Sequence, residues 1–357
     1  MSSEFGKNLR VSIFGESHGP GIGVVVNGFP AGEMIDTHEL NLFLARRAPG
    51  NSRLTTARKE ADLPEFLSGV KDNMLTGSPF AVVIRNTNQH SADYKGFEDT
   101  PRPSHADFTA AVKWHGAADM RGGGHFSGRL TAPLCAAGGI ALQILSRKGV
   151  FIGAHLYNVG GIADDSFPLH PSPDLFQSIA KKDFPVISAN QGIKMQQCIQ
   201  DAAAAGDSVG GGIECAAIGL PAGLGDPMFD TVEGMLSSAL FGIPGVKGVS
   251  FGSGFDCVNL RGSKHNDPFT IENGQVKTMT NNSGGIQGGI TNGMPLVFRI
   301  AMKPTASIAQ SQQTVSLTEM KNTKIEIHGR HDPCIAIRAV PVVEAVAALV
   351  ILDLLLK

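Results

Sequence analysis

The chain has 357 residues, enough to bury a sizeable core, and 42% of them are hydrophobic. A formal net charge of −2 excludes the global basic field that nucleic-acid binding requires. Charged residues make up only 17%, against about 25% in average soluble domains, whereas glycine reaches 44 residues, well above its usual ~7% share. With two Tyr and one Trp, the core must be built from aliphatic residues, Ala and Phe. The five cysteines are scattered and form no CxxC, which points to neither a zinc site nor a disulfide framework and fits a reducing cytoplasm. Glu4, Lys7 and Arg10 precede any apolar stretch, so no signal peptide is expected.

Taken in chain order, a short apolar run at Val11–Phe14 leads into "GESHG" (residues 15–19), followed by a β-branched strand over 22–29. Residues 36–48 read as a helix with Asp36 as cap and Glu39 three positions on. A strand is expected at 80–85, and helices at 106–118, 131–148, 192–205, 229–241 and 342–355. Further strands are expected at 210–220, 296–302 and 324–328, with loops at 168–174 and 272–285. "APLCAAGGIALQIL" (132–145) has almost no polar face and must be buried on all sides, which places helices between sheets. The C-terminal apolar run at 345–352 is too short to span a bilayer, where about 20 residues are needed. No linker stands out, so residues 1–357 read as a single domain.

Several stretches concentrate groups able to do chemistry. Between Ala45 and Lys59 stand five cations (Arg46, Arg47, Arg53, Arg58, Lys59) and no acid. Arginine forks suit phosphate or carboxylate, although Arg46 and Arg47 also complement the dipole of the helix they end. In "RPSHAD" (102–107), Ser104 and Asp107 have the spacing of a capping box, placing His105 at a helix N-terminus. Arg121 then precedes Gly122–Gly124, His125, Phe126, Ser127 and Arg129; the glycines make either a tight turn or a backbone cradle for an anion.

Later, Lys303 is followed by Pro304, Thr305, Ala306 and Ser307, which carry suitable hydroxyl donors. Asp332 lies two residues from Arg330, close enough for a surface ion pair. Gly19, Gly21 and Gly23 precede a strand rather than a helix, so the dinucleotide-binding context is missing. Neither a metal cluster nor a GxSxG nucleophile motif is present. Ser17 and His18 are neighbours, and on an extended segment their side chains would point apart. The acid–base candidates are His18, His105, Asp332 and Glu16; with surplus arginines they suit a lyase acting on a polyanion.

Eight blocks in order, "FGESHG", "RRAPGNSR", "RPSHAD", "RGGGHFSGRLTA", "GVKGVSFGSGF", "GGIQGGI", "KPTASI" and "GRHDPC", resemble the chorismate synthase family over nearly the whole chain. The resemblance implies an α+β fold, a β-α-β sandwich with helices packed between antiparallel sheets, and a homotetramer. It implies a lyase requiring reduced FMN that converts 5-enolpyruvylshikimate 3-phosphate to chorismate and phosphate by 1,4-anti elimination, ending the shikimate pathway towards aromatic amino acids. His18 would protonate the departing phosphate, His105 would manage the proton at the reduced flavin, and Asp332 with Ser17 would assist removal of the ring proton. Arg47, Arg53, Arg121 and Arg330 would hold phosphate and carboxylate. The FMN site would comprise Arg47, Arg53, His125, Phe126, Ser127, Gly245, Gly288, Lys303 to Ser307 and Arg330, with no metal.

Some members reduce their own flavin with NADPH, usually alongside a long insertion that this chain lacks. Two positions depart from the family's usual RSSAR: His125 and Phe126 stand where polar donors are common. A flavin oxidoreductase would need a nicotinamide site as well. A phosphate-binding module would keep the arginines but have no use for both histidines.

Overall fold

The computed structural model describes residues 3–50, 54–55, 62–87, 96–327 and 331–357. Two five-stranded antiparallel sheets frame the molecule. The first runs Glu4–Phe5, Arg10–Gly15, Gly21–Asn27, Phe80–Arg85, Pro64–Ser68 in spatial order. The second runs Val246–Phe251, Leu296–Met302, Gly211–Ile218, Phe151–Val159, Ile162–Ala163. Helix Thr131–Arg147 touches strands of both sheets, helix Ala336–Leu355 packs on the second, and helix Thr37–Arg47 packs on both helices. Helices therefore lie between antiparallel sheets, as the apolar 132–145 segment led us to expect.

The residue types explain the layering. Helix Thr131–Arg147 buries 14 of its 17 residues and helix Ala336–Leu355 buries 18 of its 20, so neither has a face for water. The stretch 128–147 is long and apolar enough to cross a membrane by length and composition, yet 89% of that window is buried inside the protein. The two long helices approach until backbone meets side chain. A Cβ built on Gly138 would stand 2.3 Å from the Ala345 Cβ, a separation no real pair of carbons tolerates.

A few charges are buried in this apolar centre, each with partners. Glu344 receives Arg46 bidentately, at 2.6 and 2.9 Å, and the Ala154 N–H at 3.0 Å. Asp353 accepts the N–H groups of Lys7, Asn8 and Leu9 at 3.0, 2.6 and 2.7 Å, tying the last helix to the first turn of the chain. In the second sheet His155, wholly buried, sits between Asp164 on Nδ1 and Glu214 on Nε2, each at 3.1 Å. Arg299 completes that cluster, donating to Glu214 at 2.9 Å while lying 3.9 Å over the Tyr157 ring. Burial opposes charge on His155, but the bonds to Asp164 and Glu214 outweigh it and raise its pKa.

Several expected elements shift. The last helix starts at Ala336, not 342, and runs through Pro341; burial of its whole length outweighs the lost backbone bond. Helix 106–118 contracts to Asp107–Trp114 because His115 turns left-handed at φ 52°. Helix 229–241 becomes Val232–Leu240, since Thr231 caps it by accepting from Gly234 N. Helix 192–205 appears as Ala189–Ala204. The supposed loop at 272–285 holds part of a hairpin, Phe269–Glu272 with Gln275–Thr278. Strand 324–328 appears as Lys321–Ile325, and His328 lies outside the described residues. Strands Phe151–Val159 and Val246–Phe251 had no clear sequence signal, because glycines and polar residues such as His155 interrupt their alternation.

Candidate active site

The GESHG segment is the connection between two paired strands. Gly15 ends the first and pairs with Ile22 of the next, so residues 16–20 form a hairpin turn. The Asn86 amide closes it, donating to the carbonyls of Glu16 at 3.1 Å and Gly19 at 2.9 Å. Glu16 is exposed, whereas Ser17 and His18 are each 4% exposed. The expectation that Ser17 and His18 point apart fails, because a turn does not impose strand alternation. Both side chains approach one glycine: a Cβ on Gly122 would lie 2.8 Å from Ser17 Oγ and 2.5 Å from His18 Nε2.

That glycine belongs to the turn Arg121–Phe126, where Gly122 and Gly123 take φ of 62° and 88°. L-residues rarely adopt such values, so here the glycines are required by conformation as well as by space. The turn is held to the hairpin by Ser17 N donating to Gly124 O at 3.1 Å and by His125 Nδ1 donating to Gly15 O at 2.8 Å. The other nitrogen of His125 meets Ser3 Oγ at 2.7 Å. Phe126 packs against Trp114 at 5.3 Å between ring centroids. Ser127 accepts from Arg129 N at 3.3 Å and starts the turn into helix Thr131–Arg147.

His105 reaches the same turn from the opposite loop. A Cβ on Gly123 would lie 3.4 Å from His105 Nε2, so the two imidazoles meet neighbouring backbone positions. Ser104 does not cap the helix that follows; it is left-handed at φ 61° and is gripped by Lys303 Nζ, which donates to its carbonyl and, at 3.0 Å, to its hydroxyl. Ala106 is the N-cap and makes no side-chain bond. Asp107 instead turns back towards Arg102 and His105, a link that the capping-box reading missed.

Lys303 brings a third segment to this place. Its N–H bonds Gly245 O at 3.0 Å; Thr305 donates to the Asp332 carbonyl at 2.7 Å, and Ser307 Oγ lies 3.4 Å from Arg102 NH1. Burial, helped by the charge of Lys247, lowers the Lys303 pKa. Pro304 and Ala306 continue the same segment, the Ala306 carbonyl accepting from Gln312 at 3.4 Å. Asp332 pairs with Arg338 at 2.7 Å. Gly288 sits in the turn of the hairpin Ile286–Thr291; among the described residues no hydrogen bond ties it to the histidine loops.

The arginines divide. Arg47 is buried with its guanidinium fully engaged: Thr131 Oγ1 at 3.1 Å, Asp62 at 2.5 Å and Gly128 O at 3.0 Å. Arg129 grips the other oxygen of Asp62. Burial works against the Asp62 charge, but the two guanidinium groups outweigh it and hold its carboxyl below the ordinary value. Arg47 thus braces the loop before helix Thr131–Arg147. Arg121 is half-exposed and lies against Asp119, donating at 2.8 and 2.6 Å. Arg53 and Arg330 lie outside the described residues, as do Arg58 and Lys59.

Two imidazoles and a buried hydroxyl thus meet around a backbone kept bare by glycine, with the Lys303 ammonium on the Ser104 side of the His105 loop, an arrangement suited to moving protons near a bound anion. Comparison with known proteins identifies the family. The family model described as chorismate synthase matches residues 9–356. A chorismate synthase of Dehalococcoides mccartyi is 47% identical over 100% of this chain and 97% of its own length. One from Thermococcus kodakarensis is 46% identical over 99% and 97%, and one from Korarchaeum cryptofilum 43% over 99% and 97%. A crystal structure of chorismate synthase superposes with a TM-score of 0.78 at 28% identity, covering 99% of this chain and 93% of the other. The chain belongs to the chorismate synthase family, whose name places it at the last step of the shikimate pathway.

Proposed function

We propose that this protein converts 5-enolpyruvylshikimate 3-phosphate to chorismate and phosphate by a 1,4-anti elimination with reduced FMN bound. The observation that carries this reading is the Gly122–Gly123 turn, which sets Ser17 and His18 against one residue and His105 against the next. Ser17 Oγ is buried and has no hydrogen-bond partner among the described residues, which fits a site completed by a bound group. Lys303, beside Lys247, supplies positive charge next to the His105 loop, as a phosphate-bearing ligand requires.

In this reading His18 protonates the leaving phosphate oxygen, and His105 holds or releases a proton at Nε2 on the flavin side. Asp332, held by Arg338, assists in removing the ring proton with Ser17 as helper. Arg121, with Arg53 and Arg330, receives phosphate and carboxylate; Arg47 supports them through the loop it braces. Gly245, Gly288, the 303–307 segment and the 125–127 turn form the flavin site, with His125 and Phe126 acting through backbone placement. Reduced flavin, when bound, supplies electron density transiently and ends unchanged in oxidation state.

The protein is further proposed to be one domain over residues 1–357, cytoplasmic and homotetrameric. The exposed apolar side chains Phe255, Val258, Phe269, Ile271 and Val276 support burial against other copies. The test is phosphate release and chorismate formation under anaerobic conditions. We expect turnover with chemically reduced FMN, none with oxidised FMN, and a loss of about 10²-fold or more in His18→Ala. Folded protein that binds FMN yet releases no phosphate would sink the reading.

A further inference from the structure

The residues that hold His105 are buried and charged, and the chemistry set out above does not use them. The side chains of Arg102 and Asp107 are each 3% exposed. Arg102 grips Asp107 through Nε at 2.8 Å, NH2 at 2.7 Å and its own backbone N–H at 3.0 Å, while its guanidinium lies 4.8 Å from the centre of the Phe97 ring. His105 Nδ1 lies 2.8 Å from Asp107 Oδ1 and 3.0 Å from Arg102 NH2. For a neutral imidazole only one of these is a hydrogen bond.

The carboxylate wins that competition. A bare Nδ1 facing it would set two lone pairs, one on a full negative charge, against each other at 2.8 Å. The Arg102 NH2 group already directs a proton to the same oxygen. Burial works against charge on Asp107, but hydrogen bonds from Arg102 and His105 outweigh it and keep the carboxyl ionised, far below its ordinary range. With Nδ1 committed, Nε2 is the nitrogen turned to Gly123.

We propose that Asp107, locked by Arg102, is a positioning residue: it fixes His105 in the tautomer protonated on Nδ1 and so presents Nε2 to the glycine turn. The inference rests on the reading that His105 exchanges a proton in the site. An ionised carboxylate behind Nδ1 both sets the ring's orientation and stabilises the imidazolium formed when Nε2 gains a proton.

The first test needs neither flavin nor substrate. Magic-angle-spinning NMR of the full chain labelled with 15N-histidine reports the protonation of each ring nitrogen, and the His105 signals are those lost in His105→Asn. Protonated Nδ1 is expected at neutral pH; a bare Nδ1 overturns the proposal, and this holds whether or not any Asp107 variant folds. The second test is a double-mutant cycle on turnover. Asp107→Asn should cost on the order of 10²-fold in the wild-type background, but no more than about twofold in His105→Ala. Equal losses in both backgrounds would make Asp107 a structural residue only. Full turnover in His105→Ala would instead remove His105 from the reaction and leave the NMR result on Asp107 standing.

Discussion

His105 and His155 are built from the same parts to opposite ends. Each imidazole meets a buried carboxylate through Nδ1, and each cluster includes an arginine. At His155 the second nitrogen is also committed, to Glu214, and the side chain is 0% exposed. At His105 the second nitrogen faces a glycine turn, and the side chain is 20% exposed. Saturating both nitrogens turns the ring into a cross-link between strand Phe151–Val159 and strand Gly211–Ile218. Leaving one nitrogen towards the glycine turn makes it available for proton transfer.

Removing each ring should separate stability from turnover. His155→Ala leaves Asp164 and Glu214 buried without the cation between them, and should cost about 3–5 kcal/mol in urea unfolding. His105→Ala should leave that stability within about 1 kcal/mol, while chorismate formation falls. If both variants lose stability equally, the contrast is wrong. A smaller effect is expected at the glycine turn. Gly122→Ala would place a methyl 2.4 Å from His18 Cδ2 at φ 62°, displacing the hairpin turn or the loop. Because misplacement by about 1 Å costs on the order of 10²-fold, turnover should fall by that factor, with a stability loss of about 1–2 kcal/mol from the left-handed backbone. Wild-type turnover would show that Gly122 does not set the His18 position.

The smallest effect sharpens the comparison through pH. The His155 pKa is raised above its usual 6.5, so its contribution to stability is full below that value and is lost as pH rises through the raised folded value. Asp164 and Glu214 run the other way: their lowered values mean that their contribution is present above 3.8 and 4.5 and is lost in acid. Melting temperatures measured from about pH 6 to pH 9 should therefore decline more in the wild type than in His155→Gln. Parallel curves would mean that His155 folds in neutral.

The layered fold was legible because segment 132–145 offers no polar face, and a helix of that kind must be covered on both sides. The order of strands was not, since the central strand Gly211–Ile218 pairs with partners that begin at residues 151 and 296. Local alternation says nothing about partners so distant. At the site, His18, His105 and the glycine run stood out as motifs, and the structure brings them to one turn. Ser-x-x-Asp has the spacing of a capping box with Ser104 as cap and Asp107 three residues on; the left-handed Ser104 and the Ala106 N-cap show otherwise. Arg102 gave no signal, since a pair five residues apart follows neither helical nor strand periodicity. Arg47 looked like a helix-end cation, and its burial became visible only with Asp62 and Gly128 beside it.

The helix Ala336–Leu355, which packs on the second sheet, follows every strand of both sheets in chain order. Ribosomal synthesis proceeds from the N-terminus, so the face of the second sheet that this helix covers is made before its cover. Asp353, the carboxylate that secures residues 7–9, is separated from them by more than three hundred peptide bonds. The contact that joins the two ends of the chain therefore forms only once nearly the whole of it has been made, and the face of the second sheet under this helix stays bare until then.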